Sequence, residues 1–207
     1  MRLYHNPLSS NARRVLLTAS HIGTKLDEQI IDFASESDRK RLEEVNICGK
    51  VPALEDDGLQ LWESFAIMQY LADKAGATDL YPTGLKERAD INRWMFFGAQ
   101  HFAPAIGILT WEYLWKKLVT GEGPDPVEIA KGERYVHEHA AVLDKHLASR
   151  QWLSGDKLSL ADFAVAAPLM YLGRAKVPVE QYTHMLAWFE RIKQLPAWQN
   201  TESPWPF

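Results

Sequence analysis

The chain has 207 residues, enough for one large or two small domains with a sizeable core. With 24% charged and 46% apolar residues it has the make-up of a globular protein, which argues against disorder. Its 23 Lys and Arg against 27 Asp and Glu give a net charge of −4 with no basic block, so no nucleic-acid partner is expected.

The first residues, Met1-Arg2-Leu3-Tyr4-His5-Asn6-Pro7, lack the apolar run of a signal peptide, and no segment approaches the ~20 apolar residues that span a bilayer. Cys48 is the single cysteine, so no intrachain disulfide forms. A cytoplasmic protein without a membrane partner is expected.

Residues 1–76 alternate short apolar runs with helical patterns, as a mixed α/β unit does. Arg2-Leu3-Tyr4 reads as a strand, and Ser10 to Ile22 as a helix with Ala12, Val15, Leu16 and Ala19 on one face, stopped by Gly23. Glu28 to Ile31 is a second strand and Ser37 to Val45 a second, polar helix. Pro52 to Glu55 and Leu59 to Trp62 read as strands around Asp57-Gly58, a strong hairpin signal. A third helix runs from Ser64 to about Lys74.

Residues 77–85 read as a linker, and 86–207 as an all-helical domain. Its first helix spans Lys86 to Thr120, with Ile91, Trp94, Met95, Gly98, Phe102 and Ile106 at helical spacing and Pro104 expected to bend it. Gly121 to Pro126 breaks this helix, a second follows to about Ser149, and Ser159 with Asp162 three residues on opens a third. The sequence ends in an aromatic tail, Pro204-Trp205-Pro206-Phe207.

Two spots carry chemistry. Pro52 has no N–H for a sheet, so Val51 sits at a strand margin with its backbone groups free for a ligand. Glu63-Ser64 stands where a strand turns into a helix, so Ser64 can cap the helix and its first N–H groups can receive a carboxylate. Together they describe a site for a peptide-like acid. Ser9 and Ser10 lie at the start of the first helix, where partial positive charge favours an anion; plain helix capping is the competing reading.

This pattern of Val51-Pro52 and Glu63-Ser64 resembles the cytosolic glutathione S-transferase family, in particular a bacterial serine-type, theta- or phi-like member. The resemblance covers nearly the whole chain, and Ser159 with Asp162 also matches the family's helical domain. It implies an α/β thioredoxin-like N-terminal domain plus an all-α C-terminal domain, the glutathione transferase fold. It further implies that Pro52 is cis, that Val51 pairs with the cysteinyl part of glutathione, and that Glu63 and Ser64 hold its γ-glutamyl end. Lys50, with Arg39 or Lys40 of the polar second helix, is a candidate for the glycine carboxylate.

A serine of the first loop would hydrogen-bond the glutathione sulfur and stabilise its thiolate. Ser9 matches the catalytic serine of the plant-type classes, whereas Ser10 falls where bacterial β-class members carry a cysteine; Tyr4, at the end of the first strand, is a third candidate. Depressing a thiol pKa by two units needs about 2.7 kcal/mol. A hydrogen bond to a charged group contributes about 1.5–3 kcal/mol and a helix terminus about 0.3–1 kcal/mol, so the two suffice.

The second substrate is expected in a cleft between the domains, against Leu8, Phe102, Trp111 and Trp115, whose character suggests a small hydrophobic electrophile. The implied protein is a homodimeric transferase with glutathione as co-substrate, no tightly bound cofactor and no metal. His137, His139 and His146 read as surface histidines, because i,i+2 residues point apart on a helix. Cys48 reads as a small packed residue. Peroxidase, dehalogenase or isomerase chemistry at the same site stays open, as does a non-catalytic binding or interaction role on this scaffold.

Overall fold

A computed structural model describes residues 1–203, so the aromatic tail at 204–207 lies outside the described residues. The chain divides into two compact units.

The first unit, Met1–Pro82 joined by the segment from Gln194, is built on a four-stranded sheet. Its elements are β1 (Arg2–His5), α1 (Ser10–His21), β2 (Asp27–Ile30), α2 (Glu36–Val45), β3 (Ala53–Asp56), β4 (Leu59–Trp62) and α3 (Ser64–Lys74). The expected β-α-β-α-β-β-α succession is therefore present. The strand order is β2-β1-β3-β4, with β1 parallel to β2 and antiparallel to β3. Pairing of β3 with β4 opens at Ala53↔Trp62 rather than at Pro52, which has no N–H to donate. Asp57 and Gly58 both adopt positive φ, 47° and 85°, and so turn the predicted hairpin with the hand that its strands require.

The second unit, Thr83–Lys193, is helical. The expected single helix over 86–120 is an unbroken helical run from Leu85, composed of α4 (Leu85–Phe97), a π-turn (Gly98–Phe102), α5 (Ala103–Thr110), a second π-turn (Trp111–Trp115) and α6 (Lys116–Thr120). Pro104 lies in the first turn of α5, directly after a π-turn whose wider ladder accommodates a residue without an N–H. Gly121, in the left-handed region at φ 76°, ends the run.

α7 (Pro126–Leu147) starts from the cap Asp125, whose carboxylate accepts from Val127 N–H at 2.8 Å. It packs closely on α5 because Gly132 leaves room: a Cβ there would stand 2.8 Å from Leu109 Cδ2. α8 (Leu160–Ala166), a 3₁₀ turn (Ala167–Tyr171) and α9 (Thr183–Lys193) complete the unit. The predicted cap at Ser159 forms, with Ser159 N–H donating to Asp162 Oδ2 at 2.9 Å. Asp162 is fully buried and also accepts from Leu153 N–H (3.0 Å) and Trp188 Nε1–H (2.9 Å).

The histidines of α7 are more engaged than expected. His137 Nδ1 lies 3.1 Å from Tyr182 Oη and His146 Nε2 lies 2.9 Å from the Leu153 carbonyl, so both serve packing inside the unit. Among the described residues no three His, Cys, Asp or Glu side chains are gathered as metal ligands, and no helix is long and apolar enough to cross a membrane.

α10 (Pro196–Asn200) departs from the sequence expectation, which runs the helical domain to residue 207: it belongs with the first unit and packs on α1. This contact changes the burial of α1. Besides the expected Ala12, Val15 and Ala19, the helix buries Arg13, Arg14, Leu17 and Thr18, while Leu16 is only half-buried, because α3 and α10 both cover it.

Candidate functional site

The loop between β1 and α1 is shaped by Asn6, whose Nδ2–H donates to the Ile31 carbonyl and whose Oδ1 accepts from Leu8 N–H, both at 2.9 Å. Ser9 N–H closes the turn on the Asn6 carbonyl at 2.9 Å. An asparagine two residues ahead of a loop N–H is an Asx-turn signal that sequence reasoning passed over. Ser9 is the N-cap of α1, its Oγ accepting from Ala12 N–H at 3.2 Å, and Ser10 is the first helical residue. A hydroxyl that accepts one bond still has its own proton to donate, so capping leaves Ser9 able to serve an anion.

A second asparagine, Asn46, which is buried, builds the loop before β3. Its Nδ2–H donates to the Lys50 carbonyl at 2.6 Å and its Oδ1 accepts from Cys48 N–H at 2.9 Å. This closure turns Ile47 and Cys48 outward, so Cys48 is exposed rather than packed. The Lys50 side chain is exposed as well. Val51 is half-buried against a cluster of Tyr4, Ile31, Leu42, Val45 and Ala53, and the Val51–Pro52 bond is cis. Val51 precedes β3, and its backbone N–H and C=O are unpaired among the described residues.

At the start of α3, Glu63 adopts φ 70° and ψ 109°, a left-handed backbone for a residue with a Cβ. Its side chain is exposed and makes no capping bond. Ser64 does not cap the helix as expected: it is already the first helical residue, and its buried Oγ accepts from Arg14 Nη1 at 3.4 Å instead. The first N–H groups of α3 thus keep their outward-facing positive end, beside a hydroxyl and a carboxylate. Arg14 is 2% exposed, with its guanidinium carbon 4.5 Å over the Phe65 ring. Burial pushes its pKa down to about 9, against the opposing pull of the Glu63 charge.

The remaining sequence candidates are dispersed. Tyr4 is a packed strand aromatic, 4% exposed, whose Oη–H donates to Glu55 Oε2 at 2.6 Å; burial and this carboxylate raise its pKa. Its proton is therefore committed. Arg39 Nη1–H donates to the Phe33 carbonyl, and Lys40 pairs with Glu36 at 2.7 Å on the exposed side of α2. Phe102 is completely buried, which makes it a core residue and not a ligand contact. Leu8 and Trp115 are half-buried and Trp111 is 39% exposed.

Chemically, one unit carries two helix N-termini, each with a serine hydroxyl, and a Val ahead of β3 with unpaired backbone groups. That is equipment for binding an acidic peptide and lowering the pKa of an anion-forming group.

Comparison with known proteins gives the same reading. Residues 1–73 match the family model for the glutathione S-transferase N-terminal domain, and 106–196 that for the C-terminal domain. A probable glutathione S-transferase GSTF2 of Oryza sativa subsp. japonica is 29% identical over 98% of this chain and 96% of its own length. Among solved structures, glutathione S-transferase III in its apo form is 31% identical, with a TM-score of 0.84 over 100% of this chain and 98% of that one. Glutathione S-transferase-I bound with lactoylglutathione is 26% identical, with a TM-score of 0.87 over 97% of each chain.

Proposed function

The chain belongs to the glutathione S-transferase family and is a transferase enzyme with glutathione as its substrate; from that premise we propose how its residues act. The γ-glutamyl carboxylate of glutathione is received at the N-terminus of α3, by its first N–H groups and the Ser64 hydroxyl. Glu63 pairs with the γ-glutamyl ammonium. The cysteinyl part adds to the unpaired backbone of Val51, ahead of Pro52, and Lys50 meets the glycine carboxylate. Arg39 and Lys40 have local partners that they must leave to assist.

Ser9 donates its hydroxyl proton to the glutathione sulfur and holds it as a thiolate. Ser10, within the first turn of α1, adds a helix N–H to the same anion. No general base is required, since the thiolate attacks the electrophile directly once its pKa lies near neutrality. The electrophile is small and hydrophobic, and Leu8, next to Ser9, is its nearest apolar neighbour in the chain. The serine-type, phi-like subtype is supported by the plant relative, and a cytoplasmic homodimer is in keeping with the family.

The observation that carries this reading is the cap of Ser9 on α1, which orients one hydroxyl while leaving its proton free. An ultraviolet titration of the glutathione thiolate with the purified protein tests it. A bound thiol pKa lowered toward neutrality is expected. Binding with an unshifted pKa removes the thiol-activation step, and no binding at millimolar glutathione removes the site.

A further inference from the structure

The least satisfied charge in the first unit lies beneath the Glu63-Ser64 turn. Arg14 projects from the buried side of α1 with 2% exposure. One donor, on Nη1, reaches Ser64 Oγ at 3.4 Å. Nε and Nη2 are buried and have no acceptor among the described residues. A guanidinium keeps its charge and carries five N–H donors, so leaving most of them without partners costs folding free energy. A methionine would fill such a space without that cost. Glu63, whose charge acts on Arg14, is exposed and occupies the left-handed backbone of the same turn.

We propose that Arg14 is a positioning residue for glutathione recognition: its buried charge prepares the Glu63-Ser64 turn and the start of α3 for the γ-glutamyl carboxylate. The proposal rests on the assignment of that turn to the γ-glutamyl end. Two physical effects act together. By donating to Ser64 Oγ, Arg14 occupies one lone pair of the hydroxyl and leaves its proton to point at the carboxylate. The fixed positive charge adds to the field of the α3 N-terminus from a low-dielectric interior, where it is screened less than a surface lysine. Since its nitrogens are buried, Arg14 works through Ser64 and the backbone without touching glutathione. Arg14 remains a cation at neutral pH, with its pKa near 9.

A purely structural Arg14 would fill space and stack on Phe65 with the same value for any ligand. The two roles separate with an analogue of glutathione in which a 4-aminobutanoyl group replaces γ-glutamyl, removing only the α-carboxylate. KM and kcat are measured for both thiols in the wild type, Arg14→Met and Arg14→Lys, with Kd from titration calorimetry. Arg14→Met is expected to raise KM for glutathione by about tenfold or more, with kcat changed less than about threefold, and to leave KM for the analogue unchanged. Arg14→Lys, which keeps the charge, recovers part of the loss.

Equal weakening of both thiols, or of neither, overturns the positioning role. Should Arg14→Met not fold, the same comparison on Arg14→Lys decides: a larger loss for glutathione than for the analogue supports the role, and an equal loss overturns it. A wild type that binds both thiols equally well, or neither, removes the assignment of the Glu63-Ser64 turn itself.

Discussion

The guanidinium carbon of Arg13 stands 3.8 Å above the Trp198 ring, and Nη2–H donates to the Trp198 carbonyl at 3.2 Å, joining α1 to α10 across 185 residues of chain. Trp198 is 3% exposed, so the contact is an internal part of the first unit. Cation–π attraction and a charged hydrogen bond act on the same pair, each more effective out of water.

Trp198→Ala should therefore cost about 3–5 kcal/mol, as the loss of a buried aromatic does. The midpoint of chemical unfolding checks this, and hydrogen exchange should show α1 amides losing protection along with those of α10. An unchanged exchange pattern in α1 would mean that α10 adds nothing to the helix bearing Ser9 and Ser10.

Such a contact is not legible in the sequence. Periodicity reports what one element buries, not which distant element covers it, so the burial of Arg13 and Arg14 does not follow from the pattern of α1, and the segment after Gln194 reads as part of the helical domain. Features set by local chemistry were legible. The Asp57-Gly58 turn follows from its positive φ values, and α3 starts at Ser64 and ends at Lys74 as expected. The cap at Ser159 and the break at Gly121 belong to the same class. The candidate site falls between these cases. Its serines and the Val51-Pro52 pair stand out in the sequence, whereas Asn6 and Asn46, which shape both loops through side-chain bonds to the backbone, drew no notice. The π-turns within the 85–120 run also escaped, because one extra residue per turn barely alters an apolar pattern.

Tyr4 separates packing from chemistry. Its hydroxyl is held by the partly exposed Glu55 at 2.6 Å, so Tyr4→Phe should leave thiolate formation and turnover within about twofold of wild type. The same change should lower stability by about 1–2 kcal/mol, the value of a partly buried bond to a charged acceptor. A large drop in turnover with unchanged stability would return Tyr4 to the thiol.

Ser9 has two roles that substitutions can part. Ser9→Ala removes the cap and the hydroxyl together. It should cost about 1 kcal/mol of stability and raise the bound thiol pKa by about 1–2 units, the equivalent of one charged hydrogen bond. Ser9→Asp keeps a capping oxygen at the N-terminus of α1 but brings a negative charge to the thiolate. Stability should stay near wild type while thiol ionisation is lost. Ser10→Ala, in the first turn without a capping bond, should change both quantities little. If Ser9→Ala leaves the thiol pKa in place and Ser10→Ala raises it, the hydroxyl donor is Ser10.

Asp162 supplies the fold's clearest pH dependence. It is fully buried, and burial lifts its pKa to about 6 even though Leu153, Trp188 and Ser159 all donate to it. In the unfolded chain the group titrates near ~3.9. Between these values the folded protein holds a proton that the unfolded chain has released, so the stabilisation is full below about pH 4 and is lost as pH rises through about 6. The loss amounts to about 3 kcal/mol over that window. Asp162→Asn removes the titration and turns an amide N–H₂ toward donors, so it should be less stable than wild type throughout. The gap between the two should narrow from pH 4 to pH 6 and then stay constant. Unfolding free energies of both proteins from pH 4 to pH 7.5 measure this directly. A gap that stays constant below pH 6 would mean that the donors, and not burial, control the Asp162 carboxyl.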